Sequence, residues 1–160
     1  MNRNLLVALI ACFVVAGCTA HKSQFGLERL DKADIAESES LQSDIGGLEA
    51  RANALLNVCV ADKFTSKLTY DRLAGFFELA DERDAFVSTF AARLREAKFR
   101  RDTIKSYKIE RVAIETNEVV GFVRARLKGH FWGPLNTELV EVVVWKKVGD
   151  KWFVWPQQQK

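Results

Sequence analysis

The stretch Glu138-Leu139-Val140-Glu141-Val142-Val143-Val144-Trp145-Lys146-Lys147-Val148-Gly149-Asp150-Lys151-Trp152-Phe153-Val154-Trp155 decides how this 160-residue chain folds. Two runs rich in β-branched and aromatic residues flank Gly149-Asp150, a dipeptide suited to a tight hairpin. Closing the chain there sets Lys147 opposite Trp152, Lys146 opposite Phe153, Trp145 opposite Val154 and Val144 opposite Trp155. Successive side chains on a strand point to opposite faces. One face then carries Leu139, Val143, Trp145, Trp152 and Val154, and the other Val140, Val142, Val144, Phe153 and Trp155. Both are apolar, whereas a sheet with helices on one side and water on the other alternates apolar and polar. The second face needs cover: a partner protein, a second copy, the N-terminal stretch or the Gln-rich tail. A large apolar patch on a domain surface marks an interaction site. The candidate interface residues are therefore Val140, Val142, Val144, Trp145, Trp152, Phe153 and Trp155.

Upstream, residues 119–131 form another strand, joined to the hairpin through the loop Gly133-Pro134-Leu135-Asn136. Thr116-Asn117-Glu118 is a turn, and residues 104–116 carry Tyr107, Ile109, Val112 and Ile114. Their alternation slips one place near Glu110-Arg111, as a β-bulge requires. Before Asp102 the period is helical. Residues 48–63 align Leu48, Ala52, Leu55, Leu56 and Cys59. Residues 70–79 follow Thr69 as N-cap and carry Leu73, Phe76 and Phe77. A third helix, capped by Asp81 or Asp84, presents Phe86, Phe90, Leu94 and Ala97 and ends near Arg100. Helices first and a four-strand antiparallel meander after them predict an α+β domain with three helices packed on a curved sheet. Residues 18–46 are polar, acidic and interrupted by Gly46-Gly47, which predicts a partly helical stalk ahead of a body over 47–156 and a polar tail over 157–160.

The body resembles the nuclear transport factor 2-like superfamily over about residues 48–155. The likeness lies in the three helices, the strand opening Ser106-Tyr107-Lys108-Ile109, and the ending 144–154 with a tryptophan on either side of Gly149-Asp150. The resemblance implies a sheet wrapped around helices into a cone with an open, often apolar mouth, and a sheet that commonly supports dimerisation. Phe76, Phe77, Phe86, Phe90 and Tyr107 would line such a cavity. No short strands are evident between the second and third helices, which leaves a cystatin-like arrangement open. Catalytic members of the superfamily carry an acid–base pair inside the cone. Tyr70, Asp71, Tyr107, His130 and Glu141 are the titratable candidates here, and none falls in a spacing that marks a site. The chain has no Gly-rich phosphate loop, no metal-spaced Cys/His cluster and no nucleophile elbow, so no catalytic residue, metal or cofactor is assigned.

The N-terminus is similar to a bacterial lipoprotein signal. Arg3 precedes an uncharged apolar run from Leu5 to Val15, and Ala16-Gly17-Cys18 closes it. The run is too short to span the ~30 Å hydrocarbon core of a bilayer. The resemblance implies cleavage between Gly17 and Cys18, a thioether diacylglycerol on Cys18 and an acyl chain such as palmitate on its amino group. Several chains anchor stably where one does not. Thr19, in place of an Asp, favours the outer membrane facing the periplasm over the inner membrane. Cys12 leaves with the signal, so Cys59 is the remaining thiol and reads as a small core hydrophobe.

The formal net charge is +3, but the signs are segregated. Acidic residues prevail through residue 50. Basic residues concentrate from Arg93 to Arg111, with Arg95, Lys98, Arg100, Arg101, Lys105 and Lys108 between them. Such a cluster suits anionic lipid or polysaccharide, or is a solvated helix end favoured by the helix dipole. Nucleic acid is not a partner in an envelope compartment. These readings predict a membrane-anchored, non-catalytic protein-binding or assembly module, with a binder of a small apolar or lipidic ligand as alternative and a superfamily-type isomerase or hydrolase behind both. Replacing the lipidated cysteine, Cys18→Ser, should leave uncleaved precursor and abolish fatty-acid labelling. A variant of mature size that still takes up label would exclude the anchor.

Overall fold

The computed structural model describes residues 20–22, 39–115, 119–132 and 135–156. The signal and Cys18, residues 23–38, the turn 116–118, Gly133-Pro134 and the tail 157–160 lie outside the described residues. Helix α1 (Glu39–Ala61) is followed by α2 (Lys67–Leu73), a 3₁₀ turn (Ala74–Phe76), α3 (Ala80–Glu96) and a second 3₁₀ turn (Arg100–Asp102). A short strand β1 (Ala20–Lys22) precedes them, and β2 (Ile104–Glu115), β3 (Val120–His130), β4 (Asn136–Val148) and β5 (Lys151–Val154) follow. The domain is α+β, with three helices ahead of a four-strand antiparallel meander, as the change of period predicts.

Strand β4 lies at the middle of the sheet. It pairs antiparallel with β3 from Asn136 to Lys146, with β5 at its C-terminal end, and parallel with β1 at its N-terminal end, where Ala20 stands opposite Glu138. The hairpin register is the predicted one: Trp145 faces Val154, Lys146 faces Phe153 and Lys147 faces Trp152, with Gly149 at φ 60° in the turn. The Trp155 N–H donates to the Val144 carbonyl at 2.8 Å and extends the pairing one step. The register of β2 against β3 shifts between Ile109 and Arg111, the place where the alternation slips.

The helix boundaries differ from the expectation in three places. First, α1 begins at Glu39 and runs through Gly46-Gly47, so residues 39–46 are helix rather than stalk. Each interior glycine costs about 1 kcal/mol of helix propensity. Tertiary contact offsets it: Lys147 Nζ holds Asp44 at 2.6 Å, and Leu48, Ala52, Leu55, Leu56 and Cys59 are buried in sequence-periodic order. Residues 20–22, also placed in the stalk, instead cover backbone at the N-terminal edge of β4. Second, the cap of α2 is Ser66, whose Oγ accepts from the Thr69 N–H at 3.1 Å, while buried Thr69 donates its own hydroxyl to the Lys63 carbonyl at 3.1 Å. Third, α3 starts ahead of both aspartates, and Glu82 closes its first turn by accepting from the Leu79 N–H at 3.3 Å.

The main core lies between the helices and one face of the sheet. Phe64, Phe77, Phe86 and Phe90 pack ring on ring, with Phe64–Phe90 centroids 4.8 Å apart and Phe86 stacked on Phe90 at 5.2 Å. The sheet contributes Val123, Ala125, Leu127, Leu139, Val143, Trp145, Trp152 and Val154. Two glycines of β3 admit close neighbours. A Cβ at Gly121 would meet Trp152 Cζ3 at 3.2 Å, and one at Gly129 would meet Phe99 Cε1 at 2.6 Å and the Thr103 carbonyl at 2.9 Å. At Gly129 the obstacle is partly backbone and cannot swing aside. Gly129→Ala should therefore destabilise the domain by about 1–3 kcal/mol through overpacking, read as a lower urea midpoint. An unchanged midpoint would show that the turn after α3 does not press on β3.

Candidate functional site

The face of the sheet turned away from the main core divides into two halves. Ala113 of β2, Val120 and Phe122 of β3, and Val142 and Val144 of β4 form a second buried apolar cluster, and Trp155 packs against it. Alternation produces this directly, since Phe122 stands opposite Val144 and Ala113 opposite Phe122. Further along the same strands the residues become charged. Glu110 stands in an ion pair 3.0 Å from Arg124 Nε and accepts from Arg126 Nε at 2.6 Å, while Glu138 accepts from Arg126 Nη1 at 2.9 Å and pairs with Lys128 Nζ at 3.1 Å. Hydrogen bonds from Arg126 and Lys128 hold the Glu138 carboxyl below its usual range, and those same bonds to Glu110 and Glu138 raise the Arg126 guanidinium.

The predicted interface residues separate accordingly. Val142, Val144 and Trp155 meet in the second cluster, Val140 is buried and Phe153 half-buried. Trp145 and Trp152 do not join them. Both lie in the main core, on the helix-facing side, because they occupy the alternate positions of β4 and β5. They are structural side chains and not part of an outward surface.

The predicted cavity residues Phe76, Phe77, Phe86 and Phe90 are buried in the main core. The Phe77 and Phe86 centroids are 5.3 Å apart, and the Arg51 guanidinium lies 4.4 Å from the Phe76 ring centroid. Tyr107 is half-buried, and its hydroxyl lies 3.0 Å from both Asn53 Oδ1 and Asn57 Oδ1 on α1.

Glu141 is the most perturbed carboxylate. It sits on the helix-facing side of β4, its side chain buried, with Oε1 accepting from Arg93 of α3. Burial pushes its carboxyl up to about 7, against the opposing pull of the Arg93 charge. Oε2, and separately the indole Nε1 of Trp145, are buried without a hydrogen-bond partner among the described residues. A carboxyl titrating near neutrality suits proton transfer only where a second titratable group stands beside it. The other candidates stand elsewhere. The Tyr70 hydroxyl bonds Asp84 and Arg83 at the outer edge of α2 and α3, and Asp71 pairs with Lys67 at 2.7 Å on the surface. His130 lines a groove with Arg100, Arg101, Thr103 and Lys105. The described residues thus bring none of these candidates together. No group of His, Cys, Asp and Glu among them has the arrangement of a metal site. Cys59 is buried in α1, and desolvation pushes its thiol up to about 12.

The basic stretch from Arg93 to Arg111 is likewise divided. Arg93 turns inward to Glu141, whereas Lys98, Arg100, Arg101 and Lys105 are exposed. No described helix is long and apolar enough to cross a membrane. Sequence alone did not single out the buried Arg93–Glu141 pair, because Glu141 reads as one polar residue in an apolar strand. Its place on the Trp145 side of the alternation was the available signal.

No protein-family model matches the chain, and no curated protein matches it. Among solved structures it is similar to a crystal structure from Campylobacter jejuni provisionally described as an NTF2-like transpeptidase. The identity is 15%, the match covers 66% of this chain and 94% of that one, and the TM-score is 0.39. At that level the likeness bears on neither activity nor partners.

The Glu141 carboxyl gives a signed pH dependence. Between its ordinary value of 4.5 and about 7, an unfolded chain has lost the proton that the folded chain keeps. Stability contributed by the protonated form is therefore full below 4.5, falls as pH rises to about 7, and is level above it. The unfolding free energy should decline by about 1–3 kcal/mol across that window and decline less in Glu141→Gln. Urea titrations at a series of pH values measure this, and parallel profiles for the two proteins would assign the dependence to other groups.

Proposed function

We propose that the chain is an envelope lipoprotein, held at the membrane by lipid on Cys18, whose body is a protein-binding or assembly module and not an enzyme. The observation that carries this reading is the second apolar cluster, Phe122, Val142 and Val144 with Ala113, Val120 and Trp155, on the side of the sheet opposite the main core. Water-excluding packing on both faces of one sheet is the arrangement of an element sandwiched between two bodies. Trp155 packs against the cluster, whose side chains are buried within the chain itself, so a partner would seat on its rim at Trp155 and half-buried Phe153. The partner is a second copy or a component of an envelope complex, and the outer membrane facing the periplasm is the assigned side.

The alternative, a small apolar or lipidic ligand in the helix-facing core, draws less support. Its candidate aromatic side chains engage one another or Arg51, and Tyr107 is engaged with α1. An acid–base enzyme draws support from Glu141 alone, whose nearest titratable partner is a guanidinium.

Protein running from residue 18, with Cys18→Ser in place of lipid attachment, should form a concentration-resistant dimer, or join a partner when the lipidated form is recovered from membranes. In Val142→Asp the charge falls on the apolar face, where it is costly. Because Val142 is also buried within the single chain, the variant should unfold the body or leave it monomeric. If instead wild type is monomeric and Val142→Asp loses about 2 kcal/mol or more, the face is closed within the chain and the interface reading fails. Light-scattering mass and urea unfolding on the same samples separate the two results.

A further inference from the structure

The β3–β4 connection carries three large apolar side chains in the open: Trp132 is 76% exposed, Leu135 55% and Phe131 40%. Its described residues are nonetheless bonded to one another. The Phe131 N–H donates to the Leu135 carbonyl at 2.9 Å, and the Leu135 N–H donates to the Trp132 carbonyl at 3.0 Å. Exposed side chains on backbone that is bonded at Phe131, Trp132 and Leu135 are presented rather than merely unpacked.

Cations surround this tip. Lys98 Nζ stands 5.4 Å from the Phe131 ring centroid, and Arg100, Arg101 and Lys105 line the adjoining groove of about 450 Å³ with His130 and Thr103. Nearby Glu138 is occupied by Arg126 and Lys128, and the Asp102 carboxylate accepts from the Thr65 hydroxyl at 3.4 Å. The basic turn is bent by unusual backbone: Lys98, Arg101 and Asp102 all have positive φ, at 61°, 56° and 51°. Left-handed conformation is uncommon for residues other than glycine and persists only where surrounding contacts impose it. The contacts here are the Phe99 N–H to the Leu94 carbonyl at 2.8 Å, the Phe64 N–H to the Asp102 carbonyl at 2.9 Å, and the Thr137 hydroxyl to the Ala97 carbonyl at 2.6 Å. They fix the cationic turn beside the aromatic tip.

The path of the N-terminus supplies a third observation. Strand β1 runs parallel to β4 with Ala20 opposite Glu138, so the chain joins the sheet at the end where β4 follows Leu135. Residue 18 precedes β1 by two residues, a reach of no more than about 7 Å.

We infer that this end of the domain is its membrane-facing surface: Trp132, Phe131 and Leu135 enter the headgroup region of an anionic phospholipid layer, and Lys98, Arg100, Arg101 and Lys105 take the phosphates. Tryptophan belongs at that depth, with its ring in the apolar zone and its N–H near water. Clustered Lys and Arg close to the surface add attraction to anionic headgroups. The inference rests on the lipid-anchor reading for the nearness of a membrane, and on the loop itself for the contact. It orients the body, with the anchor and the tip at one end and the hairpin at Gly149 at the other.

The test uses the full mature chain purified from membranes and returned to vesicles of phosphatidylethanolamine and phosphatidylglycerol with brominated acyl chains. Of the four tryptophans, Trp145 and Trp152 are buried in the core and Trp155 is half-buried. Lipid-dependent quenching should come mainly from Trp132 and drop about twofold or more in Trp132→Phe, an exposed substitution that leaves the fold intact. Arg100→Glu with Lys105→Glu should reduce quenching on these vesicles and leave it unchanged on neutral phosphatidylcholine. Equal quenching in wild type and Trp132→Phe, or indifference to both phosphatidylglycerol and charge reversal, would overturn the inference. Intact mass separates its failure from that of the anchor: a lipidated chain with an unquenched tip refutes the surface alone. If the chain carries no lipid, the anchor fails, and binding to the same vesicles by flotation judges the surface without it.

Discussion

Strand β4 carries apolar side chains on both faces for most of its length, so each charge on it has to be met by a side chain from another element. Glu141 is met by Arg93 of α3, Lys146 by Glu82 at the start of the same helix, Lys147 by Asp44 of α1, and Glu138 by Arg126 and Lys128 of β3. These four sites lie at intervals along the strand and engage both long helices and a neighbouring strand. A slip of one residue would turn every apolar position to the opposite face and strand all four charges. Burial supplies the driving force, and the charges select one register from those that burial alone would allow. The Arg93–Glu141 pair shows the cost of this arrangement. Its carboxyl is desolvated strongly enough that burial outweighs the adjacent guanidinium.

The face opposite the main core changes character along the strands. Phe122 is followed on the same side of β3 by Arg124, Arg126 and Lys128, and Val144 and Val142 of β4 give way to Glu138. One end of the face is therefore suited to contact that excludes water and the other to a hydrated ion-pair network. Paired charges at the polar end resist burial under another body, because removing them from water carries a desolvation cost. Any body covering the apolar half meets a natural boundary near Arg124.

Much of the fold was legible because the strongest signals are periodic. The Gly149-Asp150 turn, the Trp145–Val154 pairing and the bulge near Glu110-Arg111 follow from alternation, and the core stripes of α1 and α3 follow from helical spacing. Local signals were less informative where tertiary contacts compete with them. Gly46-Gly47 reads as a break, yet the Asp44–Lys147 pair and the burial of Leu48 carry α1 across it. Thr69 reads as a cap but is buried and spends its hydroxyl on Lys63. The parallel pairing of residues 20–22 could not be read at all, since a three-residue strand has no periodicity of its own. The apolar face of the hairpin was visible in sequence, whereas the inclusion of Trp145 and Trp152 in an interface failed on strand parity. The aromatic tip was hidden for a different reason. Phe131 and Trp132 stand next to His130 in a loop, and exposure of a loop tryptophan depends on packing rather than on spacing.

Cys59 is packed on the inner side of α1, and its thiol is pushed up to about 12. Thiol–disulfide exchange proceeds through the thiolate. At neutral pH the folded chain presents almost none of that species and gives an oxidant no access to the sulfur. The thiol becomes an ordinary reactive one only when α1 leaves the sheet. The covalent structure of the folded body is therefore the same in an oxidising compartment as in a reducing one.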